Sequence, residues 1–395
     1  MAKQMKLGCP VPYFPPAELV GFGAQMYEQQ GLDFILNGDQ LNLAIPRSIC
    51  TPDIVPAVTL DFDLDLWMEG FLISAMAAAA TTSLGIAQCC DAVRRPASLL
   101  AQQLLTMDHL TKGRFFLCIG AGEQKQFSPY GLERRKPFLH VQESMRVMRR
   151  LVTSPEPINY DGPIWKLRNA IMRLMPYEQS RPPKVCVLGG PGKAVELAET
   201  AIREGDCDGF ATWMPPAGDP EWWNTTIARL RKAAVDGDRD PDDLNFVCMM
   251  TCLIYANDDE REFFEQNMAM RFHAALETPG AGATWERWGP TKNPLGDDYF
   301  YARDFVPMDW TREETLRIAK QVPPAMVSKS KLLGNPASVA EQIIEYVGEP
   351  GTTHLLLGNF ADILRSGDWA DASEQRNLVG ETLSVVRNRT SAILS

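Results

Sequence analysis

Eight short strand-like runs of this chain, several of them almost wholly apolar, alternate with segments whose apolar residues recur at helical spacing. The runs are Met5–Pro10, Asp33–Asn37, Ser83–Gln88, Phe115–Ile119, Lys184–Leu188, Gly209–Trp213, Phe246–Tyr255 and His354–Leu357. A strand that is apolar on both sides needs cover on both faces, which parallel strands receive from crossover helices. Eight such units predict an α/β fold, a (β/α)8 TIM barrel, with a doubly wound open sheet as the competing arrangement. The clearest helix covers Pro96–Lys112: Pro96 suits a first turn, Leu99, Leu100, Leu104, Met107 and Leu110 form the stripe, and Lys112 and Gly113 suit its end. The units are unequal. Insertions follow the second, fourth and seventh strands, at about residues 41–70, 155–182 and 257–335, and are expected to wall the strand C-termini, where barrels bind ligands. No tandem repeat or Gly/Ser linker divides the chain, so residues 1–395 are expected to form one domain with insertion segments.

Charge narrows the partners. The chain has 39 Lys and Arg against 50 Asp and Glu, a net −11. That balance argues against nucleic acid, which demands cations, and against an anionic membrane surface. Gly70–Ala80, the longest nearly apolar stretch, is shorter than the roughly 18 residues a bilayer span requires and is expected to be a buried helix. The opening MAKQMKLGCP lacks the apolar core of a signal peptide. The nine cysteines are an odd number, mostly set in apolar runs, which fits reduced thiols and a cytoplasmic location.

The expected strand ends carry the chemistry. The fourth ends Gly120-Ala121-Gly122-Glu123, where two glycines admit close backbone approach and Glu123 falls at the barrel mouth; a tight turn with a solvated Glu explains the same residues. The fifth runs Leu188-Gly189-Gly190-Pro191-Gly192-Lys193 into a helix whose free N–H groups favour an anion. Val187 and Ala194 break the Walker A pattern, and a plain glycine-rich turn is the alternative. The second ends Asn37-Gly38-Asp39-Gln40, placing Asp39 either for hydrogen bonding and proton transfer or as an ordinary turn residue. The third ends Ala87-Gln88-Cys89-Cys90-Asp91. Adjacent cysteines of a strand point opposite ways, and His109, His140, His273 and His354 form no H-x-x-x-H pair, so no metal site is expected. There is no G-x-S-x-G elbow of an α/β-hydrolase.

Arg95-Pro96-Ala97, then MDHLTKGRF at Met107–Phe115, then IGAGE at Ile119–Glu123 follow in the order strand, long helix ending L-[ST]-x-G-R, strand ending G-x-G. In this the chain resembles the luciferase-like monooxygenase superfamily, and the likeness continues through Tyr160-Asp161-Gly162 and Leu188–Pro191. A narrower set is similar to the superfamily's F420-dependent branch, in particular the mycobacterial phthiodiolone ketoreductases. It comprises Gly38–Asn42, Pro46–Ile49, Pro129–Gly131, Lys136-Pro137, Asn293–Asp297 and Val322–Ala325. The resemblance implies a barrel with insertions, a homodimer, and hydride transfer at C5 of the deazaflavin coenzyme F420. A two-component monooxygenase using reduced FMN and O2 is the alternative within the superfamily, and a non-catalytic flavin-binding protein is a third reading.

By position, the resemblance implies that Asp39 lies near the deazaflavin ring and that Ala87–Gln88 is a cis peptide against it, with Cys89 and Gln126 as further cofactor contacts. Leu188, Gly189 and Gly190 would meet the cofactor's side chain and phosphate. Lys193 is the expected positive charge for that phosphate, with Arg94 and Arg95 in reserve. Glu123 matches the family's proton-exchanging acid, so Glu123, Gln40 and Asp39 form the expected catalytic set. The family commonly has His where this chain has Gln40, which does not titrate near neutrality. Either the chemistry needs no base at that position or Glu123 does the proton work alone, the second suiting a ketone reduction; the expected reaction is on a carbonyl/alcohol pair or an activated double bond. The substrate is expected to be a large apolar small molecule, with Trp165, Trp285, Trp288, Tyr299 and Phe300 either lining its cavity or forming the cores of the insertions.

Overall fold

The structure, a computed structural model, describes residues 4–60, 63–213, 220–257, 260–277, 285, 291–347, 351–365 and 369–394. Eleven strands occur among them: β1 (Lys6–Cys9), β2 (Phe34–Asn37), β3 (Gly85–Asp91), β4 (Phe115–Gly120), β5 (Ile158–Asp161), β6 (Lys166–Ala170), β7 (Lys184–Leu188), β8 (Gly209–Trp213), β9 (Asn245–Ile254), β10 (Leu332–Gly334) and β11 (His354–Asn359). Strands β1, β2, β3, β4, β7, β8, β9 and β11 pair in parallel in that order, and β11 returns to β1. This is the closed eight-stranded (β/α)8 barrel that the apolar runs predict. Helices α1 (Glu18–Gln29), α2 (Gly70–Ala80), α3 (Ala97–Thr111), α4 (Pro137–Thr153), α5 (Lys193–Arg203) and α6 (Pro220–Asp236) lie between successive strands.

Two-residue alternation explains why the strands read as continuous apolar runs. Phe34, Leu36, Ala87, Cys89, Phe116, Cys118, Cys186, Ala211, Val247, Met249 and Leu356 fill the barrel interior. Their neighbours, among them Ile35, Ile86, Leu117, Val185 and Val187, pack in the core shared with the helices. Neither side meets water, so neither tolerates a polar residue easily. Cys89, Cys118 and Cys186 stand in register on three adjacent strands. All nine cysteines are free thiols.

Four details differ from the sequence reading. First, residues 155–182 do not wall the strand C-termini. They join the end of α4 to the start of β7, so their β5–β6 antiparallel hairpin belongs to the opposite end of the barrel. There the Tyr177 N–H donates to Asp108 Oδ2 at 2.8 Å, and His109 Nε2 bonds Met175 O at 2.9 Å, both near the C-terminus of α3. Second, α2 is not wholly buried. Phe71, Ile73, Ala77 and Ala78 face the core, but Leu72 is 68% exposed and Met76, one turn on, is 38% exposed. Third, the insertion after β9 supplies a three-residue strand, β10, that pairs with the far end of β9; so short a segment has no periodicity to reveal it. Fourth, Pro96 is the residue before α3 rather than within it, and Lys112 itself takes the left-handed cap at φ 55°. No described helix is long and apolar enough to cross a membrane.

Candidate active site

The ends of β2, β3, β4 and β7 open onto one cavity of about 1550 Å³, lined mostly by apolar side chains. The insertion after β2 adds Asn42, Leu43 and Trp67 to its wall, and the insertion after β9 adds His273, Phe300 and Tyr301. Of the residues expected from sequence, Asp39, Gln40, Cys89, Glu123, Gln126, Leu188, Gly189 and Gly190 line it together. Trp285 is fully buried in an insertion core, Tyr299 packs in another, and Trp165 packs against the main core. Trp288 lies outside the described residues.

Ala87 and Gln88 are placed differently from expectation. The Ala87–Gln88 peptide is trans. Both residues sit in an unbroken parallel ladder, Ala87 opposite Leu36 and Phe116, Gln88 opposite Asn37 and Leu117, so β3 runs through this pair as regular extended strand. Ala87 points into the barrel core. The Gln88 side chain turns the other way, toward α2. Its Oε1 accepts from Ser74 Oγ at 2.8 Å, its Nε2 donates to Cys89 O at 2.6 Å, and the Asn37 amide completes the network by donating to Ser74 Oγ at 2.6 Å. Gln88 therefore braces the wall of the barrel rather than facing the cavity.

Asp39 is held by two guanidinium groups. Arg94 Nη2 lies 2.7 Å from Oδ2, and Arg95 bonds both carboxylate oxygens. Arg94 also pairs with Asp91 and Arg95 with Glu69. Burial acts most strongly on Arg94 and Arg95 and would lower their pKa values, but Asp39, joined by Asp91 at Arg94 and by Glu69 at Arg95, opposes it and the net shift of both is upward. These arginines are committed to carboxylates, so they are not the spare charges for an anion that the sequence reading held in reserve.

The second cluster follows β4. Gly122 has φ 67°, and a Cβ there would meet the Phe127 ring at 2.5 Å, so the turn that presents Glu123 needs glycine. Arg134 Nε fastens this turn by donating to Ala121 O and Gly122 O at 3.1 and 2.8 Å. Glu123 Oε2 lies 3.4 Å from Lys125 Nζ and accepts from the Tyr301 hydroxyl at 3.4 Å. Lys125 is buried. Its Nζ donates to Gln40 Oε1 at 2.5 Å and to Asn42 O at 2.7 Å. Burial pulls the Lys125 pKa below its ordinary value, with Glu123 opposing the shift. Gln126 Nε2 also donates to Gln40 Oε1, and Gln126 Oε1 accepts from the Leu41 N–H at 2.8 Å. The result is a polar corner, Tyr301–Glu123–Lys125–Gln40–Gln126, in an apolar chamber. It can hold and deliver a proton. Sequence reasoning missed Lys125 and Tyr301. Lys125 stands two residues after the recognised Glu123, whereas Tyr301 comes from an insertion with no local signal.

Across the mouth, Leu188–Gly192 leads into α5. A Cβ on Gly189 would strike Ala194 Cβ at 2.4 Å, whereas around Gly190 and Gly192 the space is open. The free N–H groups at the start of α5 therefore stand beside unfilled space. Lys193 is the first residue of α5 and is exposed rather than part of the cavity lining.

The sequence pattern of the family described as luciferase-like monooxygenase matches residues 8–354. A phthiodiolone/phenolphthiodiolone dimycocerosates ketoreductase of Mycobacterium tuberculosis (strain H37Rv) is 28% identical over 324 residues, covering 80% of this chain and 81% of that protein. Among solved structures, an F420-dependent secondary alcohol dehydrogenase in complex with an F420-acetone adduct superposes with a TM-score of 0.67 at 17% identity, covering 97% of this chain and 99% of that one. A monooxygenase from Streptomyces bottropensis superposes with a TM-score of 0.62 at 16% identity, covering 96% and 99%. With its closed barrel and a family match over most of its length, this chain belongs to the luciferase-like monooxygenase family.

Proposed function

We propose that this protein is an F420-dependent oxidoreductase that reduces a carbonyl group of an apolar substrate. The observation that carries the reading is the Glu123–Lys125–Gln40 corner, which sets a carboxyl group able to hand on a proton into a cavity lined mostly by apolar side chains. The name of the ketoreductase relative supports it. The residues also fit the cofactor. Open space at Gly190 and Gly192 beside the α5 N-terminus suits a phosphate, and Cys89 and Ala121 are small side chains in the lining of the same cavity.

Reduced F420 supplies a hydride when bound. The rest falls to the protein. The apolar walls exclude water and seat the substrate so that its carbonyl oxygen faces Glu123. With the cofactor bound, Glu123 would give its proton to the carbonyl oxygen as the carbonyl carbon is reduced, so that the product is an alcohol. Glu123, whose side chain is 30% exposed, then recovers a proton from solvent, while Lys125 holds its carboxylate in place. Asp39, engaged by two arginines, and Gln40, which does not titrate, take no part as bases.

Side-by-side fluorescence titrations with F420 and FMN test the cofactor. F420 is expected to bind at least about 10-fold more tightly, a difference of about 1.4 kcal/mol. Tighter FMN binding would overturn the reading and favour the monooxygenase chemistry named for the Streptomyces bottropensis neighbour. In the same assay Lys193→Glu is expected to weaken F420 binding by roughly 5-fold at low salt and less at high salt, because an exposed charge near a helix N-terminus acts through a screened field. Unchanged affinity at low salt would place the phosphate elsewhere.

A further inference from the structure

We propose that Lys125 is a positioning residue that locks the Gln40 amide with its nitrogen toward the cavity, so that position 40 is a fixed hydrogen-bond donor to the substrate oxygen. This deepens the carbonyl-reducing reading above and rests on it.

The orientation follows from donor and acceptor inventories. An ammonium group has three donors and no acceptor. The Gln40 atom 2.5 Å from Lys125 Nζ is therefore oxygen. A separate constraint agrees. The Leu41 N–H requires an oxygen on Gln126, which leaves the Gln126 nitrogen to donate to that same Gln40 oxygen. Two donors thus converge on Gln40 Oε1. Gln40 Nε2 points away from both, has no acceptor among the described residues, and belongs to a side chain that lines the cavity. Lys125 has no freedom to release the lock, since its Nζ is shared among Gln40, Asn42 O and Glu123. A histidine at position 40 would be able to accept as well as donate. The glutamine, held in this way, only donates.

Gln40→Glu isolates the effect. It keeps the length of the side chain and both accepted bonds, but presents an oxygen to the cavity. The probes are 2-octanone and 2-octanol, measured by calorimetry at pH 8. Each is titrated into cofactor-free protein and into its non-reacting complex, the ketone with oxidised F420 and the alcohol with reduced F420. Ketone affinity is expected to fall about 10–100-fold, because a donor is replaced by a repelling acceptor, while the alcohol, which can donate to a carboxylate, changes by less than about 3-fold. Lys125→Met frees the amide to turn and is expected to weaken ketone binding by about 3–10-fold with a smaller effect on the alcohol. A thermal melt establishes that this variant is folded. Equal losses for both probes in Gln40→Glu, no loss for either, or no ketone binding by the wild type would overturn the lock. Absence of F420 binding with the ketone/alcohol contrast intact in cofactor-free protein would instead overturn the cofactor reading and support the lock.

Discussion

Replacing Glu123 by Gln is expected to slow single-turnover hydride transfer by about 10²–10⁴-fold, the usual worth of a positioned proton donor. Glutamine preserves the size of the side chain and an oxygen for Tyr301 and Lys125, so F420 affinity should stay near the wild-type value. What it removes is the transferable proton. Stopped-flow absorbance of the deazaflavin, started by mixing reduced enzyme with ketone, separates this chemical step from product release. A near wild-type rate would mean that the proton comes from water or from the substrate, and the ketoreductase mechanism would be wrong even with the cofactor right. The residual rate carries a second signature. In the wild type, burial lowers the Lys125 pKa and Glu123 works against that shift. Without Glu123 the burial effect is less opposed, so any residual rate that needs the Lys125 ammonium should be lost at lower pH in the variant than in the wild type.

Asp39→Ala is expected to destabilise the fold by about 3 kcal/mol, because it strands two partly desolvated guanidinium groups against each other. The Arg94 and Arg95 side chains are only 11% and 12% exposed, and Asp39 lies between them. Asp91 and Glu69 keep one contact each, which holds the loss to the low end for a broken buried pair. Asp39→Asn retains one acceptor and should cost less. Urea denaturation of the two variants gives the comparison, and a change below about 0.5 kcal/mol for Asp39→Ala would show the cluster to be as weak as an ordinary surface pair. Both variants should also lose turnover, since Gln40 is the next residue along the chain.

The barrel was legible because its signal is local and repeated. The strands are largely apolar on both faces, and β2, β4 and β7 end in turns that carry glycine, with a carboxylate beside it after β2 and β4. Asp39, Gln40, Glu123 and Gly189 were found for the same reason, since a strand end fixes where its last residues go. What sequence could not convey is the direction of a side chain within a strand. Gln88 was assigned to the cofactor by position, yet one step of the pleat turns it toward Ser74 on α2. Nor does sequence show which end of the barrel an insertion joins unless helix and strand are placed in order, and the β5–β6 hairpin, which follows α4, lies at the end opposite the mouth. Arg94 and Arg95 looked available for an anion because their partners Asp39 and Glu69 are far away in sequence. Tyr301 reaches Glu123 from 178 residues away, a separation that no motif spans.

The row of thiols inside the barrel bears on how long such an enzyme would last. Cys89, Cys118 and Cys186 lie on neighbouring strands beneath the cavity, and all three are buried. Their hydrogen bonds to one another, together with burial, push the Cys118 thiol well above its ordinary range, and burial does the same for Cys90 on the outer face of β3. Oxidants and alkylating agents react with thiolates, and a thiol so disfavoured from ionising offers them almost none. The Cys118 sulfur, sealed inside the barrel, becomes reactive only when the strands part. Oxidation at Cys118 is therefore governed by how often the barrel opens rather than by the concentration of peroxide around it.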